Sequence, residues 1–176
     1  MAFRGGAKST LSEEAILVEA CLRKLKNGVI LGESETRAVE RLRAIKHEIE
    51  FNPYIEELFG SLVGPTWTDT RIVLANGIAL QAYGRGQSLR GVKHLDHRPD
   101  RLFVDDLEDN EAVATPEARD KWLKWFFSVV IPAMAPEARI RIAGTPLDPE
   151  SLLMRLSNDP DWTTHTYPIE YLDGYG

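Results

Sequence analysis

The chain is poor in the residues that mark several broad classes of protein. Cys21 is its one cysteine, so no internal disulfide can form, and it falls on the apolar face of a predicted helix, as core rather than as a nucleophile. No apolar run approaches the length of a membrane span, and the amino terminus lacks the apolar stretch of a secretory signal, which predicts a cytosolic protein with no membrane partner. Histidine is scarce too. His94 and His97 lie three apart, but no cysteine or further histidine accompanies them, so these two, with His47 and His165, read as loop residues rather than zinc ligands. Positive charge is in deficit: the net charge of -6 argues against a broadly basic nucleic-acid surface and leaves only a local patch open. There is no internal repeat and no low-complexity segment.

What is present is a sequence of 176 residues, 43% hydrophobic and 27% charged, which fits one globular domain with a sizeable core. Its most informative stretch is Arg101-Leu102-Phe103-Val104-Asp105-Asp106-Leu107-Glu108-Asp109. A short apolar run after Arg98-Pro99 reads as a buried strand, and acids stand at and just beyond its end. In open α/β sheets ligands bind outside the carboxyl ends of the strands, and one or two carboxylates there suit magnesium, which is usually shared with substrate phosphates. A phosphate cradle is therefore expected, and the chain opens with one. Gly5, Gly6 and Ala7 are small enough for backbone N–H groups to approach an anion, and Lys8-Ser9-Thr10 leads into a helix with Leu17, Val18, Cys21, Leu22 and Leu25 on one face. Lys8 can reach outer phosphates and Ser9 can offer its hydroxyl to magnesium. The usual GxxxxGK[ST] pattern has glycine where this chain has Ala2 and Ala7.

Between the cradle and the acids the pattern alternates strand and helix. Asn27-Gly28 ends the first helix, Val29 to Gly32 is a strand, and Ser34 caps a helix reaching Asn52-Pro53 with Ala38, Val39, Leu42, Ile45 and Ile49 inside. Its other face, with Arg37, Arg41, Arg43 and Lys46, is a solvated surface or a DNA-facing one. Thr70 to Ala75 and Ile78 to Tyr83 flank Asn76-Gly77, a hairpin signal whose two turn positions both call for positive φ. The glycine-spaced loop from Gly84 to Gly91 carries Arg85 and Arg90, and is either a flexible surface loop or one aiming an arginine at phosphates. After the acids, Thr115-Pro116 opens a helix with Trp122, Trp125, Phe126, Val129 and Val130 as core; Arg139 to Ala143 is a strand ending in Gly144-Thr145-Pro146. A last helix spans about Glu150 to Leu156, with a strand near Thr163 to Tyr167.

The set "FRGGAKST", "ILGES", "GRGQSLRG", "RPDRLFVDDLED" and "IAGTP", in this order, resembles the ATPase half of the large terminase subunit of tailed phages, over nearly the whole chain. The resemblance implies an α/β P-loop NTPase fold of the helicase-like kind, with a mainly parallel sheet flanked by helices, an inserted β-hairpin and the first strand missing. It implies a single ATPase domain over residues 1–176, cut at both ends, without the nuclease domain that follows in such proteins. It implies ATP and Mg2+ as cofactors, bound by Gly5, Gly6, Ala7, Lys8, Ser9 and Thr10, with Ser9 and Asp105 on the metal. Arg4 matches an arginine inside the phosphate loop, Asp106 or Glu108 the water-activating acid, Arg90 the arginine supplied to a neighbouring subunit, and Gly144 and Thr145 the motif that couples hydrolysis to movement. The implied partners are double-stranded DNA, a portal protein on a procapsid, a small terminase subunit and further copies in a ring, in the cytoplasm of a phage host. The alternatives are another P-loop translocase or helicase-like ATPase, a non-catalytic assembly or DNA-binding subunit that keeps the fold, and a metal-dependent nuclease. The last leaves Lys8-Ser9-Thr10 unexplained.

Overall fold

A computed structural model describes residues 8–167, and in it the chain is a three-layer α/β sandwich around a six-stranded sheet. Helix α1 (Lys8–Cys21) leads to β1 (Asn27–Gly32), α2 (Glu35–Phe51) and α3 (Pro53–Phe59). Strands β2 (Thr66–Trp67), β3 (Arg71–Val73), β4 (Ala79–Gly84) and β5 (Arg101–Asp105) follow. After them come α4 (Asn110–Val113), α5 (Pro116–Trp125), a π-helical stretch (Phe126–Val130), α6 (Ile131–Ala133), β6 (Arg139–Ala143) and α7 (Leu152–Ser157). The sheet order is β2-β3-β4-β1-β5-β6, with β4, β1, β5 and β6 parallel and β2-β3-β4 antiparallel. Among the described residues no helix is long and apolar enough to cross a membrane.

Strand register does most of the positioning. Gly32 lies opposite both Gly84 and Asp105, and Asp105 lies opposite Ala143. Four segments far apart in sequence thus reach their carboxyl ends on one level of the sheet. Because parallel strands are covered on both faces, their side chains divide between two cores. Ile30, Leu80 and Phe103 pack under α1 and α2 with Ile16, Ala20, Leu42 and Ile45. Val29, Leu31, Leu102 and Val104 face Leu107, Phe126, Val130, Leu152 and Leu156 on the other side. Alternation along β5 then puts Asp105 on the same face as Phe103, toward α1 and α2.

Several local readings need correction. Asn27 does not cap α1; that helix ends at Cys21, the chain turns through Arg23 at φ 55°, and Asn27 is the buried first residue of β1. There it accepts a hydrogen bond from Gln81 Nε2 on its side-chain oxygen at 2.8 Å, a use for a polar residue that propensity does not foresee. The inner face of α1 is Ile16, Ala20 and Cys21, while Val18 and Leu22 remain 53% and 48% exposed, because the helix is rotated toward the sheet from where apolar periodicity alone would set it. His47 sits within α2, its ring tilted against Phe51. The hairpin turn has positive φ at Gly77 but not at Asn76: Gly77 N donates to Leu74 O at 2.8 Å and Leu74 N to Ile78 O at 2.8 Å. This is the three-residue turn with one left-handed glycine, and the Asn76 side chain is freed to donate to Ala20 O at 3.0 Å, tying the turn to α1. The hairpin is also no appendage, since β4 is a parallel neighbour of β1. Residues 163–166, expected as strand, form no strand.

Ser34 caps α2 through Arg37 N and Thr115 caps α5 through Ala118 N, at the two positions that sequence chemistry selects. Gly84 is required for a different reason than loop flexibility: a Cβ there would lie 2.3 Å from Glu35 N, so the end of β4 and the start of α2 touch backbone to backbone. We predict that Gly84→Ala destabilises the domain by about 1–3 kcal/mol through overpacking, read as a lower denaturation midpoint in urea with an unchanged slope.

Candidate functional site

The first turn of α1 lies against the end of β5, which brings together residues almost a hundred positions apart. Ser9 Oγ donates to Asp105 Oδ2 at 2.8 Å, and Lys8 Nζ donates to Asp106 Oδ2 at 3.1 Å. The first contact is sheltered, with the Asp105 side chain 10% exposed; in the second Lys8 is 13% exposed but Asp106 is 44% exposed. Asp106 has φ 42°, the left-handed region that aspartate tolerates better than most residues, and this breaks the strand alternation that would otherwise part the two acids. Its other oxygen accepts from Thr145 N at 3.3 Å, and Asp106 N donates to Ala143 O at 3.0 Å. A Cβ on Gly144 would stand 3.2 Å from Leu153 Cδ2 and 3.7 Å from Asp106 Oδ1, so the turn after β6 is packed closely against this acid.

A residue assigned by sequence to a solvated helix face completes the cluster. Arg41, on α2, sets Nε 2.8 Å from Asp105 Oδ2 and donates through Nη1 to Glu13 Oε1 of α1 at 3.0 Å. Helical periodicity separates Arg41 from the apolar stripe, and nothing in a single sequence shows that α2 starts beside the end of β5. Burial pushes the Glu13 carboxyl above the ordinary glutamate range, against the opposing pull of Arg41. Asp105 Oδ1 is buried and has no hydrogen-bond partner among the described residues, a costly state for a carboxylate oxygen in a protein interior.

The remaining predicted residues are placed differently. Arg4, Gly5, Gly6 and Ala7 lie outside the described residues; Thr10 is exposed on α1. Glu108 accepts from Leu152 N at 2.8 Å and from Leu153 N at 3.2 Å, so both its oxygens serve the start of α7. Arg90 is exposed and lines a cavity of about 200 Å3 with Lys93, Arg98, Ser128 and Pro132. Arg98 and Pro132 belong to the segments entering β5 and β6, so Arg90 lies toward the amino ends of the strands, away from Asp105. Arg85 is committed within the domain: it donates to Leu107 O at 3.0 Å and to Asp109 Oδ2 at 2.8 Å, and its guanidinium stands 4.6 Å from the centre of a Trp122 ring. The reading of this arginine as aimed at phosphates gives way to one in which it pins the loop after β5. His94 also has a local task, with Nε2 2.9 Å from Gly77 O and Nδ1 3.3 Å from Arg71 Nη2.

Beside the cluster a cavity of about 1000 Å3 runs from Lys8, Ser9 and Asp105 between α1 and β6 to Trp162 and His165. Among the described residues no three His, Cys, Asp or Glu side chains converge as a metal-binding group. The cluster can offer an anion one lysine at a helix start, and a hard cation one carboxylate and one hydroxyl.

The loop after β5 gives a prediction about acid stability. Its hydrogen bond from Arg85 holds the Asp109 carboxyl below the usual aspartate range, helped by the N–H of Ala112. A depressed carboxylate contributes stability that is present at neutral pH and lost as the pH falls below the unfolded value of 3.8 toward the folded one. Arg85→Ala should therefore lower stability by about 2 kcal/mol at pH 7, through lost charge-assisted hydrogen bonds, and the deficit should shrink below about pH 4. Urea titrations at pH 7 and pH 3 check both parts.

No protein-family model matches the chain, and no curated protein matches it significantly.

Proposed function

We propose that this chain is an ATP-hydrolysing motor domain of the kind found in the large terminase subunit of tailed phages, coupling hydrolysis to movement of double-stranded DNA into a procapsid. The observation that carries the reading is the meeting of Lys8 and Ser9, at the start of a helix, with Asp106 and Asp105 at the end of a strand. Phosphate and metal chemistry need these side-chain types at these two kinds of chain terminus, and an apolar core has no use for them there. The contact of Thr145 with Asp106 adds support, since it links the turn after β6 to the acid beside the phosphate lysine.

Lys8 would hold the outer phosphates of ATP, and the start of α1 would favour their negative charge. The residues present fit magnesium: Asp105 has a buried oxygen without a partner among the described residues, Ser9 brings its hydroxyl to the other oxygen of that carboxylate, and both are the hard oxygen donors that this ion prefers. Bound there, it would neutralise charge on the phosphates as the terminal one is transferred to water. Of the two acids, Asp106 is the better candidate for orienting water: its half-exposed carboxylate pairs with the phosphate lysine Lys8, whereas Glu108 is turned away to the backbone N–H groups of α7. Gly144 and Thr145 would sense the state of Asp106 and pass it to the segment after β6. Arg90, at the other end of the strands, could meet only the nucleotide of another copy, in keeping with a ring. A small terminase subunit and a portal protein are the further partners this reading implies.

Titration calorimetry of residues 1–176 with ATP and magnesium tests the reading. Lys8→Ala should weaken ATP binding about tenfold or more, through loss of a charge-assisted contact to phosphate, and Asp105→Asn should remove its dependence on magnesium. Equal ATP affinity in wild type and Lys8→Ala would sink the assignment. A second prediction concerns turnover by the assembled ring: Arg90→Ala should leave ATP binding by the isolated chain intact and cost about a thousandfold in turnover. A loss below about tenfold would remove Arg90 from the site.

A further inference from the structure

Arg41 is a site residue that neither the phosphate loop nor the acidic strand explains. Its Nε lies 2.8 Å from Asp105 Oδ2, the same oxygen that accepts from Ser9 at 2.8 Å, while Asp105 Oδ1 is buried without a partner among the described residues. A carboxylate pinned by two donors on one oxygen has its second oxygen turned to a fixed place. A guanidinium on that carboxylate also repels any other cation drawn to it. The two effects oppose each other in sign: the first would strengthen cation binding, the second would weaken it.

We propose that Arg41 is a built-in competitor cation at Asp105, a positioning residue that sets the affinity of the site for a divalent metal. The inference rests on the metal assignment of the preceding section. Charge decides the sign, because Ser9 alone already fixes the orientation of Oδ2, whereas nothing else among the described residues places a positive group on this carboxylate. Glu13 makes the competition workable. Its Oε1 accepts from Arg41 Nη1 at 3.0 Å, so Arg41 keeps an ionic partner on α1 when its hold on Asp105 loosens. Arg41 lies in the second turn of α2, whose cap Ser34 follows β1, so release from Asp105 would be felt where α1, α2 and β5 meet. The site would hold a free divalent ion weakly and hold it well only when nucleotide phosphates add their own charge.

The test is Mn2+ binding to residues 1–176, measured from the electron paramagnetic resonance signal of the free ion, with no nucleotide and no turnover. Arg41→Ala and Arg41→Gln should bind Mn2+ about tenfold more tightly than wild type, the size expected when one unit charge stops repelling a divalent ion across a shared carboxylate. Arg41→Lys, which keeps the charge, should stay within about threefold of wild type, and a merely structural role would not separate the lysine from the glutamine variant in this direction. Thermal unfolding of each variant accompanies the titrations, and if Arg41→Ala fails to fold, Arg41→Gln decides. Equal or weaker Mn2+ binding in the uncharged variants overturns the proposal while leaving the metal assignment intact, provided that Asp105→Asn has lost Mn2+. Asp105→Asn binding Mn2+ as well as wild type does overturns the metal assignment, and the competitor role with it.

Discussion

A carboxylate enclosed where two helices meet a strand end is the constraint around which this domain is arranged. Asp105 cannot be sheltered from water without partners, and a bare charge in a protein interior costs several kcal/mol even after relaxation. Its partners come from both covering helices: Ser9 from the first turn of α1 and Arg41 from α2. Each must be held in place by something else. For α1 this is the packing of Ile16 and Ala20 on Phe103 and Ile30, and for α2 it is the close backbone approach at Gly84 and the cap at Ser34. The hydrophobic cores thus position the polar cluster, and the cluster in turn fixes how the starts of both helices sit over the sheet.

The acids after β5 show how one run of like charges is divided among tasks by local geometry. Asp105 continues the strand and faces α1 and α2. Asp106 breaks the strand with a left-handed φ and reaches Lys8 and Thr145. Glu108 accepts from the start of α7, Asp109 caps α4 and pairs with Arg85, and among the described residues only Asp105 of these acids keeps a buried oxygen without a partner. Like charges this close would repel if they shared an environment. Distributed over helix starts and separate cations, each is compensated by a different neighbour.

Arginines undergo the same sorting. Arg85 and Arg90 lie five positions apart in one glycine-spaced loop, yet Arg85 is 10% exposed, ion-paired and stacked on Trp122, while Arg90 projects into solvent near the opposite end of the strands. The loop has to travel from the carboxyl end of β4 to the amino end of β5, so its first arginine stays by the acids and its second is carried away from them. Equal composition therefore does not mean equal role.

Much of the secondary structure was legible in the sequence, because its signals are local. The caps at Ser34 and Thr115, the strand from Arg139 to Ala143 and the apolar stripe of α2 follow from hydrogen-bonding chemistry and periodicity within a few residues. The suspicion that Lys8, Ser9, Asp105 and Asp106 belong together was legible too, since loop-to-helix and strand-end acids are recognisable by type. Tertiary structure alone decided the rest. The rotation of α1 that leaves Val18 and Leu22 outside, the use of Asn27 inside a central strand and the commitment of Arg85 to Asp109 depend on neighbours brought in from distant sequence. So does the arrival of Arg41 at Asp105, sixty-four positions away. A side chain's periodicity tells which way it leaves its own helix, whereas its charge partner is set by which helix start the sheet register places beside which strand end, and that register is a property of the assembled sheet.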